Sequence, residues 1–179
     1  MFYFRLDDAT ELRLLELCHA QELFLLCDAN RDHLQRFLPW VYRTHSVEDV
    51  IKFIELALEQ FAANNGFHAG IWHKGKLAGC AGMHPVDWDN RNVSLGYWID
   101  QAHEGKGLVT AACRAIIRHC FDTLGLHRVE IRCATNNERS CAIPKRLGFR
   151  HEGTLRGSQR HSDGWRDIHV FARLKTDES

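Results

Sequence analysis

Residues 93–134 restrict the fold more than any other part of the chain. An apolar run over 93–100 enters a short loop holding Gly105 and Gly107, an amphipathic stretch follows over 108–124, and a second apolar run fills 127–134. Runs of this length suit strands. The stretch between them repeats at helical spacing, with Ala112, Ala115, Ile116, His119 and Cys120 along one face. A strand that returns to its own sheet through a helix does so by a right-handed crossover and lies parallel to its start. The two strands are therefore expected to be parallel neighbours, with the glycines at the head of the crossover helix.

The flanks carry hairpins and helices. Short strands are expected over 1–6 and 10–16, and helices over 19–27 and 30–37, the second stopping before Pro39. Ser46 with Asp49 three residues on is a capping signature, and Val50, Ile51, Ile54, Ala57, Leu58 and Phe61 follow at helical spacing as far as Asn64-Asn65-Gly66. Residues 67–73 and 76–84 read as a hairpin around Lys74-Gly75, 138–147 as a helix, and 149 onward as two strands around Ser162-Asp163-Gly164. The order predicts an α/β fold in which one mixed layer of strands is flanked by helices. The 179 residues suit a single domain, 1–179, large enough to stand on its own core.

Composition narrows the function. Lys and Arg number 23 and Asp and Glu 23, so no charge excess draws the chain to nucleic acid or to an anionic membrane. No run is apolar enough to span a bilayer, and the start does not read as a secretory signal. The seven cysteines are odd in number and form no C-x-x-C pair, which fits reduced, buried thiols in the cytoplasm. Twelve histidines fall in no metal-ligand spacing, so no metal is expected.

The loop Glu104-Gly105-Lys106-Gly107-Leu108-Val109 has the chemistry of an anion cradle. Small residues let backbone N–H groups converge, and a helix N-terminus adds partial positive charge. A tight left-handed turn without a ligand would use the same glycines. The loop is neither a P-loop, lacking G-x-x-x-x-G-K-[ST], nor a Rossmann fingerprint, lacking the third glycine.

Gly96-Tyr97-Trp98-Ile99-Asp100, Glu104-Gly105-Lys106-Gly107, Asn137-Glu138-Arg139-Ser140 and Leu147-Gly148-Phe149 together resemble the GNAT N-acetyltransferases, and within them the RimJ/RimL branch that acetylates ribosomal-protein N-termini. The resemblance covers nearly the whole chain. It implies a mostly antiparallel sheet whose central parallel pair splays apart to admit the pantetheine arm of acetyl-CoA. It assigns cofactor contacts to Trp98, Ile99, Glu104, Gly105, Lys106, Gly107, Leu108, Val109, Thr110, Asn137 and Ser140. The family pattern Q/R-x-x-G-x-G/A is met at Gly107 but not at Glu104 or Val109, and a carboxylate beside phosphate is unexplained unless it points away or Lys106 offsets it.

Amide formation from a thioester needs a neutral amine, a stabilised oxyanion and help for the leaving thiolate. The resemblance gives the oxyanion to the backbone N–H of Ile99 and the sulfur to the hydroxyl of Ser140. Asn137 and Ser140 also suit a plain turn and helix cap. The glutamate many family members carry before Gly-Tyr-Trp is Ser94 here, and Gln101 replaces an acid after the strand. His84, His103, Glu104 and His161 are bases by residue type only, and none is assigned. Cys133 is either an inert buried thiol or a lining of the pantetheine channel. Phe37-Leu38-Pro39-Trp40 either anchors the core or lines the acceptor pocket, which makes Trp40 the candidate acceptor contact. The expected activity is direct attack on acetyl-CoA by a protein or peptide α-amine, of the ribosomal-protein-serine type. A small-molecule amine acceptor and a non-catalytic acyl-CoA sensor are the rivals. Monomer and homodimer both stay open.

Overall fold

A computed structural model describes residues 3–177; Met1 and Phe2, which open the expected first strand, and residues 178–179 lie outside it. Among the described residues eight strands form one sheet: β1 Tyr3–Arg5, β2 Thr10–Leu14, β3 His68–His73, β4 Lys76–Met83, β5 Asn92–Ile99, β6 Arg128–Ala134, β7 Arg150–His161 and β8 Gly164–Leu174. Their spatial order is β1-β2-β3-β4-β5-β6-β8-β7, and β5 and β6 are the parallel pair, as the crossover requires. The helices are α1 Ala20–Ala29, α2 Arg31–Leu34, α3 Val47–Ala62, α4 Leu108–Arg118 and α5 Glu138–Arg146.

The sheet opens at its centre. β5 pairs with β6 only from Asn92↔Arg128 to Leu95↔Ile131. Past that point β5 stays with β4 as far as Gly79↔Ile99, while β6 follows β8 to Ala134↔Ile168. Local chemistry explains which way β5 goes. The β3–β4 register jumps between Ile71 and Trp72, leaving Ala78 as an extra residue on β4. Bulges of this kind bend a strand and tighten its twist. The Ala78 carbonyl then accepts the N–H of Asp100 at 2.7 Å, tying the end of β5 to the bent strand. Gly79 permits the approach, since a Cβ there would lie 2.3 Å from the Trp98 carbonyl oxygen.

Two apolar layers clamp the sheet. On one face Ala112, Ile116 and Ile117 of α4 pack with Val93, Leu95, Val129, Ile131 and Phe171. On the other, Leu23 of α1 and Val50 and Ile54 of α3 meet Leu15, Trp72 and Leu77. Each fully buried side chain of this size contributes about 1.5–3 kcal/mol. The Ser46–Asp49 capping box forms as the spacing predicts.

Two helices differ from their sequence pattern. The helix expected over 108–124 turns α-helical only to Arg118, and a π turn over His119–Thr123 follows, closed by Leu124 N–H to the His119 carbonyl at 3.0 Å. The wider turn lets the consecutive Cys120 and Phe121 both point inward, each fully buried. The helix expected over 30–37 shrinks to the single turn Arg31–Leu34. There the Arg31 guanidinium takes the Val41 and Thr44 carbonyls at 2.9 and 2.8 Å, folding the chain back through the short 3₁₀ segment Pro39–Arg43.

Candidate active site

The opening exposes one edge of β5. The Ser94 carbonyl accepts His84 N–H at 2.9 Å, and Asp100 N–H bonds Ala78 on the same side, so even-numbered residues of β5 turn their backbone groups to β4. Alternation sends those of Tyr97 and Ile99 the other way, into the gap that β6 has left. Ile99 thus presents its N–H to the gap. Trp98, which the resemblance also gives to cofactor contact, turns its backbone to β4 and packs its indole on the opposite face against the Cys27, Leu34 and Val41 cluster.

The glycine loop lies at the same end. Gly105 and Gly107 have φ of +75° and +77°, and an added Cβ at either would meet nothing within 4 Å. Glycine is required here by conformation rather than by crowding within the chain. Gly107 caps α4, whose first helical bond runs from Ala111 N–H to the Gly107 carbonyl at 3.0 Å. The amides of Leu108, Val109 and Thr110 therefore head the helix without intrahelical acceptors. Leu108 and Val109 bury their side chains in the core, so the departure at Val109 changes a core side chain and not the backbone of the loop. Lys106 is exposed on the loop. Glu104 points away from the amides: its carboxylate contacts His33 Nε2 at 2.9 Å and the guanidinium of Arg139, bridging α2 to α5. Burial, then the charges of Arg36 and Arg139, hold His33 below the ordinary histidine range.

Asn137 and Ser140 begin α5. Asn137 caps the helix, its Oδ1 accepting Ser140 N–H at 3.1 Å, so the capping role is real. Ser140 Oγ donates to the Tyr97 hydroxyl at 3.3 Å, and that hydroxyl donates to the Ser140 carbonyl at 3.1 Å. Sequence reading overlooked Tyr97, although a signal existed. Pro144 lies inside α5 and has no N–H to give the carbonyl four residues back, which is that of Ser140. Burial raises the Tyr97 hydroxyl well above the usual tyrosine range, so it stays protonated. Cys133, on the same face, lies beside Ser140 and Cys141.

On the other face of β5, the Trp40 ring lies 6.2 Å from that of Trp98, 40% of Trp40 being exposed. Phe37 and Tyr42 line an adjoining pocket of about 340 Å³ with Asn136 and Arg166, while Leu38 packs into the core. The 37–40 segment thus anchors the core through Leu38 and borders an open pocket through Phe37. Three of the four candidate bases are tied to partners of their own. His103 bonds Asp100 at 2.7 Å, Glu104 is held by His33 and Arg139, and His161 bonds Gln159 at 3.1 Å in the β7–β8 hairpin. His84 lies over β5, where a Cβ on Gly96 would be 2.8 Å from its Nε2. Burial and then Arg132 lower its pKa. Among the described residues no three His, Cys, Asp or Glu side chains gather as metal ligands, and no helix is long and apolar enough to cross a membrane.

A parallel pair opened beside a left-handed glycine turn that heads the crossover helix is the architecture of an acyl-CoA-dependent N-acyltransferase. The acetyltransferase (GNAT) domain family matches residues 10–150, and the chain belongs to that family. It is 35% identical over 179 residues to the putative ribosomal N-acetyltransferase YdaF of Bacillus subtilis (strain 168), covering 98% of this chain and 96% of that one. To the ribosomal-protein-serine acetyltransferase of Escherichia coli (strain K12) it is 28% identical over 172 residues, 95% of each. The crystal structure of the microcin C7 self-immunity acetyltransferase MccE, in complex with acetyl-CoA and AMP, matches with a TM-score of 0.89 at 26% identity over 94% of both chains. The chain is an N-acetyltransferase.

Proposed function

We propose that this enzyme transfers the acetyl group of acetyl-CoA to the N-terminal α-amine of a protein or peptide in the cytoplasm. The observation that carries the proposal is the backbone of Ile99, turned into the gap within one fold unit of the Gly105–Thr110 amides and Ser140. The amides of Leu108, Val109 and Thr110 receive the pyrophosphate of CoA, with Gly105 and Gly107 supplying the left-handed turns. The free edge of β5 holds pantetheine as an added strand would. Ile99 N–H stabilises the oxyanion, and Ser140 hydrogen-bonds the departing sulfur. A hydroxyl is a weak acid, so the bond to sulfur strengthens as charge develops without full proton transfer.

The acceptor enters from the face carrying Trp40, Phe37 and Tyr42. A ribosomal protein is the favoured acceptor class, because the ribosomal-protein acetyltransferase relatives match across almost the full chain. Release of CoA thiol from acetyl-CoA against N-terminal peptides, lysine peptides, polyamines and aminoglycosides tests this. Peptides with free N-termini are expected to turn over fastest. Preference for a polyamine would overturn the acceptor, and no turnover with any amine would favour a sensor.

A further inference from the structure

The sulfur atoms of Cys133, near the end of β6, and Cys141, in the first turn of α5, lie 3.1 Å apart. Both side chains are buried, and the proposed chemistry uses neither. A disulfide bond is about 2.05 Å long, so joining them takes only about 1 Å of side-chain movement. Cys133 also lies within hydrogen-bonding reach of Ser140. Cys141 borders a cavity of about 620 Å³ with Thr135, Lys145 and His151, which gives small thiols a way in.

We propose that Cys133 and Cys141 form a thiol-modification site whose oxidant is a CoA disulfide, with Cys141 as the resolving thiol that closes an intramolecular disulfide. The proposal rests on reading the gap between β5 and β6 as the pantetheine channel. In the first step the Cys133 thiolate attacks one sulfur of the CoA disulfide. The bond between the CoA sulfurs breaks, a Cys133–CoA bond forms, and one CoA leaves with the proton Cys133 has lost. In the second, the Cys141 thiolate attacks Cys133 Sγ and the second CoA thiol departs with the proton from Cys141. One disulfide is reduced to two thiols while two cysteines become one disulfide, and no other reactant is needed.

Two features favour the second step. Cys141 is already in contact with the sulfur it attacks. Burial, then the hydrogen bond its thiol shares with Cys141, pushes the Cys133 thiol above its ordinary range, so its thiolate is a poorer leaving group than that of CoA. Closure draws the first turn of α5 toward β6 and takes the Cys133 sulfur from Ser140, so acetyl transfer should fall on oxidation and return with dithiothreitol.

The test is intact-mass analysis and thiol counting on the full chain treated with CoA disulfide, with diamide in parallel. Wild type should lose two hydrogens, retain no CoA, release two CoA thiols per chain and yield a peptide joining Cys133 to Cys141. Cys141→Ser should hold one CoA on Cys133, and Cys133→Ser should do neither. A wild type that keeps CoA on Cys133 as stably as Cys141→Ser overturns the resolving role and leaves the channel standing. Closure by diamide with no reaction toward CoA disulfide overturns the assigned oxidant, and the channel reading with it. Failure of both oxidants to join the two cysteines overturns the pair.

Discussion

The hydroxyl of Tyr97 donates to the carbonyl oxygen of Ser140 at 3.1 Å, filling a site that Pro144 cannot reach. In return Ser140 Oγ donates to the Tyr97 oxygen at 3.3 Å. The exchange fixes the first turn of α5 against the open end of β5, which brings the Ser140 hydroxyl to the same gap as the Ile99 amide. Tyr97→Phe should remove both bonds and leave a part-buried carbonyl unpaired, costing about 1–3 kcal/mol. Melting temperature should drop and kcat should fall several-fold, with acetyl-CoA affinity little changed. Wild-type kcat in a destabilised Tyr97→Phe protein would limit Tyr97 to a structural role.

Ser140→Ala separates chemistry from capping. The Asn137 cap uses the Ser140 backbone N–H, so it survives the substitution. A bond that strengthens only as charge reaches the sulfur should show in kcat, with a loss of about 10- to 1,000-fold, and leave CoA binding nearly intact. Unchanged turnover would make Ser140 a helix residue and nothing more.

Gly107→Asp tests the cradle. The residue has φ of +77°, a conformation aspartate tolerates at some cost, and its new carboxylate would stand where the amides of α4 converge. The thermal stabilisation given by acetyl-CoA should disappear in differential scanning fluorimetry. A shift equal to that of wild type would remove the loop from the binding site.

Acid should weaken the fold through His68. Burial, then the charge of His84, lowers its pKa to about 4. The unfolded chain binds this proton from about pH 6.5 downward and the folded chain only near pH 4, so the contribution is whole above 6.5 and is lost as pH falls through that window. A displacement of this size corresponds to about 3 kcal/mol. Urea titrations at pH 7 and pH 4.5 should show the loss in wild type and a smaller one in His68→Gln. Equal losses in the two proteins would place the acid sensitivity elsewhere.

Much of this architecture could be read from the chain because it is written in spacing. The 93–134 crossover, the Lys74-Gly75 hairpin and the Ser46–Asp49 box each rest on neighbours in sequence, and each formed. What escaped depends on partners far apart. Tyr97 meets Ser140 across 43 residues. Glu104 looked like a charge conflict until Arg139 and His33 were found beside it. The π turn at His119 needs the core to demand two adjacent inward side chains, which periodicity alone does not express. Trp98 matched its motif, yet strand alternation turns its backbone from the gap, and only the register with β4 reveals that. Pro144 was visible in the sequence, and its consequence required knowing that residues 138–146 are one helix.

The proposed acceptor is an α-amine that loses its proton without a protein base. His84 lies over Gly96, three residues or about 10 Å along β5 from the Ile99 amide, while His103 is bonded to Asp100, Glu104 to His33 and Arg139, and His161 to Gln159. An α-amine of pKa about 7.7–8.0 is roughly a third neutral at pH 7.5, against about 0.1% for lysine, so water alone suffices for the first. The deciding measurement is kcat/KM against pH for two peptides that differ in N-terminal pKa, with a blocked-N-terminus lysine peptide alongside. Each profile should rise along a single limb whose inflection follows the peptide's own amine, and the lysine peptide should react far more slowly. One inflection shared by both peptides would reveal a protein base, and reaction of the lysine peptide alone would contradict the α-amine acceptor.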